Sequence, residues 1–318
     1  MDALNSFLFH KYRLFLKVTD GVQLPAFKGS TIRGVFGHTL KRLTCAIAGE
    51  ECPVCPFRGR CAYAVLFEPS PPDTFIDAGK FQNFPRPYLF NPPLAATRTY
   101  GRGDIIPLDL ILAGSAVEYL RHIVTCFITI GDVGIRNGKG KFTVESVVAV
   151  AADGAEESVY RDGAFFSRGT ALFFPARVVS DDREGSALVQ FLTPARIEIE
   201  GKLRDDPPPF RYLVESLHRR VALLSALYCG AEVDDYELPS DLSAAARKVH
   251  VIDSAVTWQE HDRYSSRQRE RLKQGGIVGG VVYRGPVYSF LPYLRLGEYL
   301  NIGKSTTFGL GRIVTSVR

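Results

Sequence analysis

From about Phe7 to Val18 apolar and polar residues alternate, which predicts an opening β-strand. At Ser30 the spacing changes to that of an amphipathic helix running to about Thr44, with Ile32, Val35, Phe36, Leu40 and Leu43 on one stripe and Ser30 as N-cap. A proline-heavy stretch (Pro69, Pro71, Pro72, Pro85, Pro87, Pro92, Pro93) excludes helix and leaves room for short edge strands only. A strand at Ile105 to Ala113, a helix at Ala116 to Ile130 and a strand at Phe142 to Val150 complete a β-α-β-β-α-β order.

The second half repeats that order. A strand near Ala195 to Leu203 leads through a linker at Asp205 to Pro209 into a helix from Phe210 to Cys229, with Leu213, Leu217, Val221, Leu224 and Tyr228 on one face and Gly230 as its stop. Lys248 to Glu260 and Gly276 to Tyr283 read as a hairpin pair, followed by a helix at Val287 to Leu300 and a final strand. The expected fold is α+β, two ferredoxin-like (RRM-like) βαββαβ domains in tandem. The junction is expected within Ala151 to Leu188, giving domains 1–170 and 171–318, with Ala171 to Val179 assignable to either.

Each half carries a glycine and lysine loop after its second helix. These are Gly134 to Phe142 (GIRNGKGKF) and Gly303 to Arg318 (GKSTTFGLGRIVTSVR). One such turn alone is a hairpin or cap, but two in matching context point to a repeated device. The Gly303-Lys304-Ser305 ending is not that of a nucleotide-binding P-loop: Glu298 stands where its first glycine belongs, and a strand pattern follows where a helix is needed. Gly303, Gly309 and Gly311, with Lys304 and Arg312, instead suit close approach of backbone and cations to a polyanion.

Composition is that of a folded protein, 46% hydrophobic and 23% charged. No signal peptide and no membrane-crossing apolar run is read, so a cytoplasmic chain with reduced thiols and no membrane partner is expected. The net charge of +5 is unevenly spread: Arg263 to Arg318 holds ten Lys or Arg against two acids, leaving −3 on the rest. A basic end on a slightly acidic body is the footprint of a nucleic-acid face, or else a solvated surface. Arg263, Arg267 and Arg269, interleaved with Tyr264, form a phosphate clamp with a stacking ring or a solvated hairpin end.

Cys45, Cys52, Cys55 and Cys61 are spaced C-x6-C-x2-C-x5-C, four soft ligands in seventeen residues. In a reducing compartment they suit a structural Zn²⁺, with an iron–sulfur cluster as second reading and unligated thiols or two disulfides as third. Cys126 and Cys229 read as core fillers. Of six histidines, His38 stands apart because it falls off the apolar stripe of the first helix and shares a flank with Lys41 and Arg42. An imidazole beside two cations suits a phosphodiester, although an ordinary surface histidine fits the same pattern.

Phe191-Leu-Thr-Pro-Ala-Arg196, Arg263-Tyr-Ser-Ser-Arg-Gln268 with Gly275-Gly276, and the Gly297 to Arg312 segment resemble the C-terminal signatures of CRISPR-associated endoribonucleases that process precursor CRISPR RNA, within the RAMP superfamily. Leu24 to Gly37 (LPAFKGSTIRGVFG), with the cysteines after it, resembles the N-terminal part of the same group. Asn301 departs from it, standing where many relatives have histidine. The resemblance implies cleavage of CRISPR repeat RNA with no catalytic metal, giving 2′,3′-cyclic phosphate and 5′-OH ends. It also implies a catalytic histidine near the first helix, which favours His38 with Lys41 or Arg42. The rival expectations are a non-cleaving RAMP subunit that holds guide RNA beside other CRISPR effector subunits, and a zinc-stapled scaffold that binds only proteins.

Overall fold

A computed structural model describes residues 4, 6–47, 51–71, 84–136, 138–173, 181, 183–233, 236–265 and 270–318. Two compact units emerge: Leu8–Phe173 with Leu227–Cys229, and Met1–Phe7 with Phe174–Ala226 and Gly230–Arg318. No helix among the described residues is long and apolar enough to cross a membrane.

The first unit opens with β1 (Leu8–Val18), whose Phe9, Tyr12, Leu14, Leu16 and Val18 are buried. Then come α1 (Gly29–Thr44), the short α2 (Ala62–Phe67), β2 (Tyr88–Asn91), β3 (Ile105–Ala113), α3 (Leu120–Val133), β4 (Phe142–Val150) and β5 (Glu156–Arg161). The sheet runs β2-β3-β1-β4-β5 and is antiparallel throughout. Leu14 lies opposite Leu108 on one side and Val147 on the other, so the buried faces of three strands stay in register.

The second unit holds β6 (Gly185–Ala195), α4 (Phe210–Tyr228), α5 (Ser240–Arg247), β7 (His250–Gln259), β8 (Gly276–Gly285), α6 (Leu291–Leu300) and β9 (Ile313–Val317). Its sheet order is β7-β8-β6-β9. Counting the four principal strands of each unit in chain order, both sheets read second, third, first, fourth. With a helix after the first and third strands, that is the ferredoxin-like βαββαβ arrangement, twice.

Four details of the pattern reading are corrected. The expected strand at Ala195 to Leu203 is instead β6, ten residues earlier, where Ala187, Val189 and Phe191 alternate as buried positions. Beyond Ala195 the chain makes a two-residue hairpin, Glu198–Ile199 against Lys202–Leu203, turning through Glu200 and Gly201 at positive φ. Ser30 is not the cap of α1: Lys28 holds that position, and its buried ammonium donates to the Ala95 carbonyl at 2.6 Å. The helix expected at Val287 to Leu300 is a 3-10 turn at Val287–Phe290 and then α6. Pro292 lacks the N–H that a continuous α-helix would need there, so it sits in the first turn. The expected strand at Ala171 to Val179 is present only at Leu172–Phe173, pairing with β1, and the rest falls outside the described residues.

Candidate functional site

Helix α1 is anchored by Ile32, Phe36 and Leu40 in the core. Phe36 sits within an aromatic cluster, its ring 5.4 Å from Phe67, 5.1 Å from Phe90 and 5.8 Å from Phe127. Gly37 lets α2 come close, since a Cβ there would lie 2.6 Å from the Phe67 ring. With that face fixed, His38 points the opposite way and is exposed, between exposed Lys41 and Arg42. The imidazole makes no side-chain hydrogen bond among the described residues. Lys41 and Arg42 lie in the last turn, where the helix dipole favours cations. They do not face alike: the Lys41 ammonium lies 5.4 Å from the centre of the Tyr63 ring on α2, leaving Arg42 as the cation beside His38 that is turned to solvent.

The four cysteines occupy chain turns. Cys45 caps α1, with its N–H on the Lys41 carbonyl at 2.9 Å, and Cys61 precedes α2. Between them, Cys52–Val54 is one 3-10 turn closed by the Cys55 N–H. All four thiols are free and half-buried, and together they line one cavity of about 220 Å³. Two disulfides are thereby excluded in this structure. Burial pushes the Cys52 thiol pKa up, and the nearby Lys41 charge opposes that shift. The expected tetrahedral zinc group is not formed: among the described residues, no three His, Cys, Asp or Glu side chains converge as ligands of one ion.

In the C-terminal loop the structure corrects the idea that glycine exposes backbone N–H groups to a polyanion. Many of those groups are used internally. The Ile302 N–H donates to Gly311, Lys304 to Arg196, Phe308 to Ser305, Gly309 to Thr306 and Gly311 to Pro194. The Arg312 N–H donates to the Thr193 hydroxyl, which itself donates to the Gly309 carbonyl at 2.8 Å. Gly303 and Gly311 have φ of +80° and +70°, and a Cβ on either would overlap a carbonyl, of Arg196 or Ile302. These glycines therefore let the loop pack against the end of β6. Asn301 is fully buried and its amide donates to the Leu310 carbonyl at 3.2 Å, a loop tie in the position where a histidine was expected.

Of the cations, Lys304 is exposed but ion-paired to Glu198, and Arg312 is half-buried. Arg263 lies on a small hairpin, Asp262–Ser265 against Glu270–Lys273, opposite Leu272. Arg267 and Arg269 lie outside the described residues.

Three residues escaped the sequence reading. Glu198 pairs with Lys304 across 106 positions of sequence, a relationship no local pattern carries. Half-buried Arg196 donates to the Gly275 carbonyl at 2.8 Å, and burial lowers its pKa. Trp258, the single tryptophan of the chain, is 36% exposed on edge strand β7, next to the basic hairpin. An exposed indole beside cations is suited to stacking on an unpaired base, and its rarity was the available signal.

Residues 7–171 match a family model for an N-terminal domain, AF_1859_N, and residues 189–313 match the model described as CRISPR-associated endoribonuclease Cas6. Among solved structures the chain is similar to a Cas6 of Thermus thermophilus at 12% identity, with 98% of this chain and 99% of that one covered and a TM-score of 0.53. It is similar to a Cas6 product complex at 16% identity, with 97% and 99% covered and a TM-score of 0.52. A Cas6-RT-Cas1–Cas2 complex gives 11% identity and a TM-score of 0.55, over 98% of this chain and 29% of that one. At these identities the likeness is one of fold. No curated protein matches by sequence.

Proposed function

The chain belongs to the CRISPR-associated endoribonuclease Cas6 family, and from that premise we propose that it binds CRISPR repeat RNA and cuts it to release guide RNAs. The observation that carries this reading is the outward flank of α1, where an exposed imidazole stands between two cations on a helix whose other face is locked in the core. Such a flank is rigid and accessible, and it holds a group that exchanges protons near neutral pH.

The chemistry proposed needs no catalytic metal. The RNA 2′-OH next to the scissile phosphate attacks phosphorus in line, the P–O5′ bond breaks, and the products carry a 2′,3′-cyclic phosphate and a 5′-OH. His38 moves a proton, as base to the 2′-OH or as acid to the leaving oxygen. Arg42 offsets the charge that builds on the phosphorane, with Lys41 second because it leans over Tyr63. In the second unit, Lys304, Arg312 and the Arg263, Arg267 and Arg269 hairpin hold phosphates. Gly303, Gly309 and Gly311 shape the loop that carries Lys304 and Arg312. The four cysteines form a structural thiolate metal centre outside the chemistry, joining the end of α1 to the start of α2.

The test is repeat RNA labelled at its 5′ end, incubated with the full chain in excess EDTA, with end groups assigned by phosphatase and kinase treatment. Cyclic phosphate and 5′-OH ends are expected. Tight binding with no cleavage would replace this reading by that of a subunit that holds guide RNA, and absence of binding would leave only a protein-binding scaffold.

A further inference from the structure

The four-cysteine turn does not have the dimensions of a single-ion site. A zinc ion stands about 2.3 Å from each thiolate, so a tetrahedral set draws its sulfurs to within roughly 3.8 Å of one another and leaves no void between them. Here the thiols are arranged around a space. Cys45, Cys52, Cys55 and Cys61 line a cavity of about 220 Å³, and no three metal-binding side chains among the described residues converge on one point. A water takes up roughly 30 Å³ of liquid, so this is room for several atoms rather than one ion.

The lining chemistry narrows the occupant. No histidine and no carboxylate lines the cavity, which makes the donor set all sulfur. Ile47, Phe57 and Tyr63 supply apolar wall, and Arg58 and Arg60 supply positive charge. Soft thiolate donors select zinc, copper(I) or iron–sulfur centres, and of these an iron–sulfur cluster spreads four cysteines around a volume. The cations offset the negative charge of a cluster with four thiolates, and the apolar wall limits solvent access to it.

We propose that Cys45, Cys52, Cys55 and Cys61 ligate an iron–sulfur cluster in this cavity, an inference that rests on reading these cysteines as a thiolate metal centre. Ligation forms four iron–thiolate bonds and releases the four thiol protons. Because Cys45 ends α1 and Cys61 opens α2, the cluster ties the two helices together behind the flank that carries His38. It is a positioning group, and its loading is readable without any RNA.

The experiment is metal and acid-labile sulfide analysis of the full chain, made in cells and purified without oxygen, together with visible absorption and electron paramagnetic resonance before and after dithionite. Iron and sulfide are expected in equal amounts, about two or four of each per chain, with a visible band that dithionite bleaches. Cys52→Ser and Cys61→Ser are expected to lose most of the iron, while Cys229→Ser, outside the cavity, keeps it. One zinc per chain in a colourless protein, lost in the same two variants, would overturn the cluster and leave the thiolate centre standing. A chain with neither metal would overturn both. The wild-type analysis decides these outcomes even if the serine variants do not fold.

Discussion

Lys304, the lysine of the C-terminal glycine loop, is ion-paired with Glu198, the first residue of the two-residue hairpin that follows β6. The lysine is 58% exposed and the carboxylate 33%, so the pair is worth little on its own and a phosphate can displace Glu198. The ion pair makes Glu198 a competitor of RNA for Lys304.

Glu198→Gln is therefore expected to tighten repeat-RNA binding severalfold at low salt. Lys304→Ala and Arg312→Ala are each expected to weaken it and to lower the slope of log affinity against log salt by about one, the share of a single neutralised phosphate. Titrations at several salt concentrations read all three variants. Unchanged affinity and slope in both cation variants would remove this loop from the RNA interface.

The glycines of the same loop answer to stability. Gly311→Ala forces a Cβ into the Ile302 carbonyl at a φ of +70°, so it is expected to cost roughly 1–3 kcal/mol or more by denaturant titration. Gly59→Ala, where a Cβ meets nothing within 4 Å, is the control and is expected to leave stability nearly unchanged. Equal midpoints for the two variants would contradict the packing account.

Trp258 tests base stacking. Trp258→Ala is expected to weaken repeat-RNA binding by roughly 1–3 kcal/mol with little change in salt slope, and Trp258→Phe to restore part of the loss. A loss mirrored by a fall in the melting temperature of the free protein would mean that the indole serves the Gly275 turn against which it packs.

His10 makes stability depend on pH. Burial is the main cause of its lowered pKa, a backbone hydrogen bond at Gly169 only partly opposes it, and its ring stacks on Tyr12. Above the ordinary value of 6.5 both folded and unfolded chains are neutral at this residue, so it contributes no penalty. As pH falls below that value the unfolded chain takes up the proton before the folded one, and stability is lost progressively. His10→Gln is expected to flatten the acid side of a plot of melting temperature against pH. A profile identical to wild type would show that other groups govern it.

The tandem fold was legible because each unit repeats the same succession of periods, two in strands and 3.6 in helices, and because the Phe36 and Leu217 stripes are long. Strand β6 was misplaced although Ala187, Val189 and Phe191 alternate correctly, since apolar residues continue past Pro194 to Ile199 and hide the end of the strand. The four cysteines were legible as one site because they are close in sequence, whereas the space they enclose depends on how α1 and α2 pack. Pairings such as Lys304 with Glu198 arise only when the end of β6 meets the last loop, so charge counting saw a cation and missed its partner.

Single-turnover cleavage of labelled repeat RNA in EDTA, comparing wild type with His38→Ala, tests the central claim most directly. The account predicts that wild type cuts, that the variant cuts roughly 10²-fold or more slowly, and that both bind the RNA almost equally well. A variant that cuts at the wild-type rate, or a wild type that binds repeat RNA and never cuts it, would contradict the account.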